Sequence, residues 1–464
     1  MDRALTDYFR CPEEFAELQT DGAMSSNSDF FQFGRDVICY GQYSNASPTK
    51  RLNGVLPDVM DSVNTDGGRL RLPFNLTQVT ENLHYERYVN GLDARDHGSR
   101  NGPASRRIYY FLRPILPVRV RKHLQRIRLK GWNKIPFPQW PVDFSVERLM
   151  EQTLSMVLRS GRVDRIPFIW FWPEGAPSGA IMTHDVEASA GLRFCPELMD
   201  LDDSFGIKSA FQVVPEIRYE AGRKFVDTVR RRGFEVNVHD LNHDGSLFLE
   251  KAEFLRRAAR INTYVTEFGT EGFRAGAMYR NQDWYEAFNF SYDMSVPNVA
   301  HLEPQRGGCC TVMPYFIGKI LELPLTTIQD YSLFHILGDY SIDLWKQQID
   351  LISKRNGLIS FIIHPDYMIE KRARGVYTEL LHHLAKLREE QKIWLALPGQ
   401  VNRWWRNRHQ MKLVSTGGGW KIEGPDSDRA RLAYASLDGD RLVFKLEGGA
   451  PLQVGDEFTP GDKQ

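Results

Sequence analysis

Ala180-Ile181-Met182-Thr183-His184-Asp185-Val186-Glu187 is the stretch that decides the fold. An apolar run passes straight into a histidine and two carboxylates, the pattern of a buried strand that ends at a polar site. Side chains alternate in extended backbone, so Asp185 and Glu187 point the same way and enter one cavity. Two carboxylates together can divide their work, one ionised on a cation and one acting as a base, or they can be a solvated pair ahead of a helix.

Outward from it, strand patterns recur at Ser209 to Val214, Glu235 to Val238, Gly272 to Arg274, Phe290 to Asp293, Leu358 to Ile363 and Ile393 to Leu397. Helical patterns separate several of them, at Ala221 to Arg232, Leu247 to Phe268 and Tyr340 to Lys354. Alternating β and α segments predict a parallel sheet, either doubly wound or closed into a barrel. Ionisable clusters fall at or just past the ends of different strands, which favours a barrel, because that fold assembles its site there.

The second cluster is His239-Asp240-Leu241-Asn242-His243. Histidines at i and i+4 share one face of a helical turn and can hold one cation, although such a pair is also a common surface feature. Two imidazoles and one carboxylate leave positions open for water, as catalytic zinc requires, and the same set serves non-haem iron. Arg274 ends a short strand, where it can fix a carboxylate base by bidentate pairing or close the barrel rim. Ser291-Tyr292-Asp293 and Leu358 to Pro365 complete the series. His364 ends the most apolar strand and is placed to protonate a leaving amine with Asp293 as orienting partner, or else to sit hydrogen-bonded in the core.

In this order the five clusters resemble the NodB-homology polysaccharide deacetylases, carbohydrate esterase family 4, in the branch whose first motif reads His-Asp-Val-Asp. The resemblance covers about residues 166 to 400 and implies a distorted (β/α)7 barrel. It implies Asp185 as catalytic base, Glu187, His239 and His243 as metal ligands, Arg274 as tether of the base, Asp293 as the fourth-motif aspartate and His364 as catalytic histidine. Glu187 stands where the family has Asp, and Gly276 where its third motif has Pro. His184 occupies a Phe position and is expected to pack rather than to ligate. The function implied is removal of an N-acetyl group from an amino sugar in a polysaccharide or its precursor, with Zn²⁺ or a similar divalent ion. A backbone N–H within Ala277 to Tyr279 would meet the oxyanion. Hydrolysis of another C–N amide bond and a non-catalytic glycan-binding or scaffolding barrel are the alternatives.

The chain has 464 residues, 42% of them apolar and 25% charged, which fits a globular protein and not a disordered or fibrous one. Fifty-nine Lys+Arg balance 59 Asp+Glu, so no global field draws it to nucleic acid. The longest apolar runs, Ile166 to Trp172 and Leu358 to Ile363, fall short of the ~20 residues of a membrane helix. The N-terminus has neither a basic nor an apolar signal region, so a cytoplasmic location is expected. Five scattered or vicinal cysteines predict buried thiols and no disulfide framework.

Three regions are expected. Residues 1–165 form an α+β extension that includes a basic amphipathic helix from Arg106 to Lys134, able to dock on the next domain or to touch an anionic surface. Residues 166–409 form the barrel, and 410–464 a small β appendage with a hairpin turning at Asp438-Gly439. Within the first, Ile135 to Pro141 reads as a linker whose aromatics pack. The expected partner is a carbohydrate, in free, nucleotide-linked or lipid-linked form.

Overall fold

The computed structural model describes residues 2–44, 52, 55–66, 69–89, 126–161, 163–449 and 451–453. The N-terminal part holds α1 (Ala4–Phe9), β1 (Leu18–Thr20), β2 (Asp29–Gln32), β3 (Ile38–Gly41), β4 (Asn64–Asp66), β5 (Arg69–Leu72), α2 (Leu76–His84) and α3 (Ser145–Arg159). Strands β1, β5 and β4 make one small sheet in that order, and β2 and β3 make a hairpin.

Then follow β6 (Arg165–Ile169), β7 (Ser178–Val186), α4 (Ser189–Ser204), β8 (Ala210–Val213), α5 (Arg223–Arg231), β9 (Glu235–His239), α6 (Lys251–Phe268), β10 (Gly272–Arg274) and β11 (Tyr292–Asp293). Beyond them come β12 (Tyr315–Ile317), β13 (Ile320–Glu322), α7 (Asp343–Ser353), β14 (Leu358–Ile363), α8 (Lys371–Glu389), β15 (Ile393–Leu395) and α9 (Pro398–Gln410). The last elements are β16 (Lys412–Thr416), β17 (Gly419–Glu423), β18 (Leu432–Asp438), β19 (Arg441–Leu446) and β20 (Pro451–Gln453).

All seven strands read from the sequence lie in one sheet of order β12-β13-β11-β10-β9-β8-β7-β14, with β15 also on β7. Every pair in it is parallel except β12 with β13. Strand β7 is the axis of the sheet, and all nine of its residues are buried. One edge of β7 carries β14 along residues 179–184; the other carries β15 at 178–180 and β8 at 183–186. The curl closes without a strand ladder, through two threonine hydroxyls and one backbone bond from Thr327 N to Ser360 O at 3.3 Å. Thr326 Oγ1 donates to Leu358 O at 2.7 Å and accepts from Ser360 N at 3.0 Å, and Thr327 Oγ1 donates to Ser360 O at 2.7 Å. The result is a distorted (β/α)7-like barrel.

Alternation along β7 sorts its neighbours as the sequence predicts. Met182 and Val186 pack outward with Leu198, Leu380 and Leu384 of α4 and α8. Ile181 joins Tyr292, Met294, Leu321, Leu323 and Leu358 inside the curl. Helix α6 starts at Lys251, four residues after the pattern predicts, because Glu250 caps it by accepting from Ala252 N and Glu253 N while Leu247 and Phe248 are buried ahead of it. The β12–β13 hairpin is not visible in the sequence pattern: two three-residue strands turn on Gly318-Lys319, and one ends in the buried Glu322.

The expected start of the barrel at residue 166 falls inside β6, which belongs elsewhere. It pairs with β18 in a four-stranded antiparallel sheet β20-β19-β18-β6. That sheet includes the expected hairpin, with Asp438 opposite Arg441 around the turn. Its core is continuous with the N-terminal part, since the Phe9 ring lies 5.6 Å from Phe168 and 5.7 Å from Phe444. Phe137 of the proline-rich linker is buried between Phe30 and Tyr88 at 5.9 and 5.0 Å. Most of the basic stretch from Arg106 to Lys134 lies outside the described residues. Its end is helical at 126–129, where Arg126 and Arg128 donate to the carbonyls of His335 and Pro304. The five cysteines are buried and unbridged. Among the described residues no helix is long and apolar enough to cross a membrane.

Glu147 of α3 joins the N-terminal part to the barrel. Its Oε1 accepts from Thr311 Oγ1 and from Val312 N, while Oε2 has no partner among the described residues. Burial pushes this carboxyl up to about 8, against an ordinary 4.5. The folded state therefore holds the proton more tightly than the unfolded one, and that stabilisation is present below the ordinary value and lost as pH rises toward about 8. Glu147→Gln should remove this component. The melting-temperature difference, variant minus wild type, should grow more positive between pH 5 and 8 in a thermal-denaturation series; a pH-independent difference would contradict it.

Candidate metal centre and active site

The strand-end residues meet around one carboxylate oxygen. Glu187 Oε1 lies 2.8 Å from His243 Nε2, 3.7 Å from His239 Nε2 and 3.5 Å from His364 Nε2. One ligand atom each from Glu187, His239 and His243 falls within 4.8 Å of the others, the one such group among the described residues; His364 stands outside it. His239 and His243 are 1% and 3% exposed; His243 Nε2 has only Glu187 Oε1 within hydrogen-bond distance, and His239 Nε2 has no carboxylate nearer than 3.7 Å among the described residues. Buried polar nitrogens are rarely left so. His239 Nδ1 faces Arg274 O at 3.1 Å, and a carbonyl there places the proton on Nδ1 and the lone pair on Nε2, the tautomer a metal needs. Two such imidazoles and a carboxylate fit a divalent ion with open positions.

The two histidines do not share a helical turn, as their spacing predicts. Strand β9 ends at His239, and the chain reaches His243 through a loop in which Asp240 and His243 have φ of +55° and +54°. The loop is held from outside by Arg218, which donates to His243 O at 2.6 Å and Asn242 O at 3.3 Å. It is held from inside by Gly276, where a Cβ would collide with the Asp240 carboxylate and come within 3.0 Å of the His243 ring. Glycine at 276 therefore has a steric reason in this chain.

Asp185 lies beside the cluster, its Oδ2 3.8 Å from His239 Nε2. Its Oδ1 accepts from Arg274 Nη1 at 2.6 Å. The expected bidentate fork is not formed: Nη1 also donates to Thr183 Oγ1 at 2.7 Å and Nε to Met294 O at 2.9 Å, so the guanidinium spans three strand ends. Burial opposes ionisation of Asp185, but Arg274, His239 and His364 outweigh it and hold the carboxyl below its ordinary value. Glu187 is likewise opposed by burial and held well below by His243, His239 and His364. Burial acts against the charged forms of His239 and His364, yet Asp185 raises the first and Asp330 raises the second well above the ordinary imidazole value.

Asp330 is the residue sequence reasoning missed. Its Oδ1 meets His364 Nδ1 at 2.6 Å and its Oδ2 accepts from His364 N at 2.7 Å, so it fixes both the ring and the backbone of the histidine. The role expected of Asp293 as partner of His364 is thus corrected. Asp293 pairs in register with Phe273, which packs in an outer cluster with Phe288 and Phe290, so it faces away from the interior. There it accepts from Ser295 Oγ at 2.6 Å and lies against Glu322; burial raises both carboxyls above their ordinary values, and Asp293 raises Glu322 further. Asp330 follows no strand pattern, and only its separation from His364 by a full β/α unit hides it. His184 packs as expected: it is fully buried, its Nε2 3.0 Å from Asp202 Oδ2, which also accepts from Ser209.

No protein-family model matches the chain, and no curated protein matches it. Solved structures do match. One is described as a polysaccharide deacetylase from Mycobacterium smegmatis, at 18% identity and a TM-score of 0.42, covering 51% of this chain and 93% of that one. Another is a Puue allantoinase, at 12% identity and 0.43, covering 51% and 92%. A third is the peptidoglycan deacetylase PdaC from Bacillus subtilis, at 13% and 0.32, covering 49% and 93%. The likeness is one of fold.

The geometry predicts about one tightly bound divalent metal ion per chain. His243→Ala should lose it, read by metal analysis after dialysis, while His184→Phe should keep it; equal metal content in wild type and His243→Ala would refute the cluster.

Proposed function

We propose that the chain is a metal-dependent hydrolase that removes the N-acetyl group of an amino sugar in a polysaccharide or its precursor. The observation that supports this best is the order of groups around Glu187 Oε1. A carboxylate tethered by arginine lies on one side of the three-donor cluster, and an imidazole backed by Asp330 lies by the same Glu187 oxygen outside that cluster. A site that only bound glycan would need neither the tethered base nor the backed imidazole.

Glu187, His239 and His243 would hold the ion, for which zinc is the proposed identity. When bound, such an ion supplies Lewis acidity and lowers the pKa of water. Asp185 takes the proton of the attacking water on Oδ2, the oxygen not occupied by Arg274. Arg274 keeps that carboxylate ionised and aimed. The oxyanion that develops on the former carbonyl meets the backbone N–H of Ala277, because the next two N–H groups, of Met278 and Tyr279, turn back onto Ala275 O and Gly276 O at 3.4 and 3.3 Å. His364 Nε2 then delivers a proton to the departing amine, with Asp330 fixing the tautomer through Nδ1.

Release of acetate from N-acetylglucosamine oligomers and from nucleotide-linked N-acetylated sugars tests the assignment. Asp185→Asn should lower kcat about a hundredfold to ten-thousandfold. Asp330→Asn should lower kcat at least about tenfold with KM nearly unchanged, while Asp293→Asn changes stability more than turnover. Wild-type activity in Asp185→Asn would remove the base from this mechanism. Turnover of a small cyclic amide with no acetate released from any sugar would move the chain to the other class of C–N hydrolase.

A further inference from the structure

Residues 275–281, the loop that carries the Ala277 N–H, are held in an uncommon shape. Ala277 and Met278 both have positive φ, +54° and +53°, a region that side chains bearing a Cβ seldom occupy. Such a conformation persists only if its surroundings over-determine it. Here the restraint is Arg280, 4% exposed, which donates from Nη1 to Met278 O at 2.8 Å. Its own backbone is clasped at both ends by Gln305, which accepts from Arg280 N at 3.0 Å and donates to Arg280 O at 3.1 Å.

The partner of Arg280 comes from outside the barrel. Glu86, just past α2 in the N-terminal part, takes the guanidinium in a fork: Nε to Oε2 at 2.6 Å, and Nη2 to Oε1. Glu86 is 8% exposed and itself has φ of +56°. Its Oε1 also accepts from Gly308 N at 2.5 Å. The sequence makes room for this approach with Gly307-Gly308. A Cβ on Gly307 would collide with Glu86 Oε1, one on Gly308 would collide with Asn298 O, and both glycines have φ, +120° and +142°, that other residues avoid. Two glycines and a buried ion pair 194 residues apart in sequence therefore serve one contact.

We propose that Glu86 is a positioning residue of the active site, acting through Arg280 to set the backbone of residues 276–278 and with it the direction of the Ala277 N–H. The catalytic half of this rests on the deacetylase reading; the conformational half does not. The N-terminal part is on this account a working piece of the site, although it supplies no group to the reacting atoms.

The test uses the full-length, zinc-loaded protein and Glu86→Gln, which keeps shape and removes charge, with Arg280→Lys as a second variant. Three quantities are read: amide exchange of a peptide covering 275–281, bound zinc, and kcat and KM for acetate release from an N-acetylglucosamine oligomer. The expected result is exchange at least about tenfold faster in the loop, zinc unchanged, and kcat lowered about tenfold to a hundredfold with KM within about twofold. A lower melting temperature with loop exchange and kcat both unchanged would show a merely structural ion pair and overturn the proposal, as would a loosened loop with unaltered kcat. Should neither variant fold, Gln305→Ala loosens the same loop from a half-buried position and must give the same pattern in smaller degree. If the wild type releases no acetate, the deacetylase reading fails on its own, and the loop exchange in Glu86→Gln still decides the clamp.

Discussion

The pairing of Arg274 with Asp185 across the barrel is the constraint on which the site depends. Both partners are nearly or fully buried, 0% and 5% exposed by side chain. A buried guanidinium without a counter-charge is costly, and removing one partner of such a pair destabilises by about 3–5 kcal/mol. The same cation reaches Thr183 on β7 and Met294 just past β11, so one group ties together the three strand ends that frame the cavity. Asp185 is thereby held ionised with one oxygen engaged and the other facing the histidines. Glu187, two residues on, follows from the same strand direction, and the carbonyl of Arg274 sets the tautomer of His239.

Much of this was legible in the sequence because it is written in strands. A buried strand has a period of two and a definite end, so Asp185, His239, Arg274 and His364 announce themselves by following apolar runs. The seven strand segments and the shared side of Asp185 and Glu187 need no more than that. Illegible parts lack a period. Asp330 opens a short helical segment at 330–337 that shows no clear period, and its partnership with His364 is a property of the closed curl, not of either segment. The His239–His243 spacing suggested a helical turn, but the left-handed residues of the loop depend on how Arg218 and Gly276 press on it. Asp293 was misassigned for a related reason: it ends a strand like the others, but on the opposite parity from Arg274's neighbours, and a two-residue strand is too short to show its parity.

Parity also accounts for His184. It sits between Thr183 and Asp185, two residues that serve the interior, and so it must face outward. There it meets Asp202 of α4, to which Tyr377 of α8 and Ser209 also donate, the former at 2.6 Å and the latter at 2.7 Å. A histidine between two residues of the candidate site thus becomes the polar anchor of two helices on the outer face. The packing role expected of it is the one that alternation gives.

Arg408 supplies the contrast that separates a working cation from a structural one. It is as buried as Arg274, 1% exposed, but no carboxylate meets it among the described residues. Its nitrogens donate instead to the carbonyls of Trp170, Ile169, Tyr8 and Phe9, at 3.0, 2.7, 3.1 and 3.2 Å, and its guanidinium lies 5.2 Å from the Phe171 ring. Burial lowers its affinity for the proton to about 9. Carbonyl dipoles and an aromatic face suffice where the cation only joins α9, β6 and α1 into one core. At Arg274 a full carboxylate is engaged, and the buried cation in turn holds that carboxyl below its ordinary value. An immobile buried cation keeps Asp185 charged while engaging only Oδ1, and so leaves Oδ2 turned toward His239.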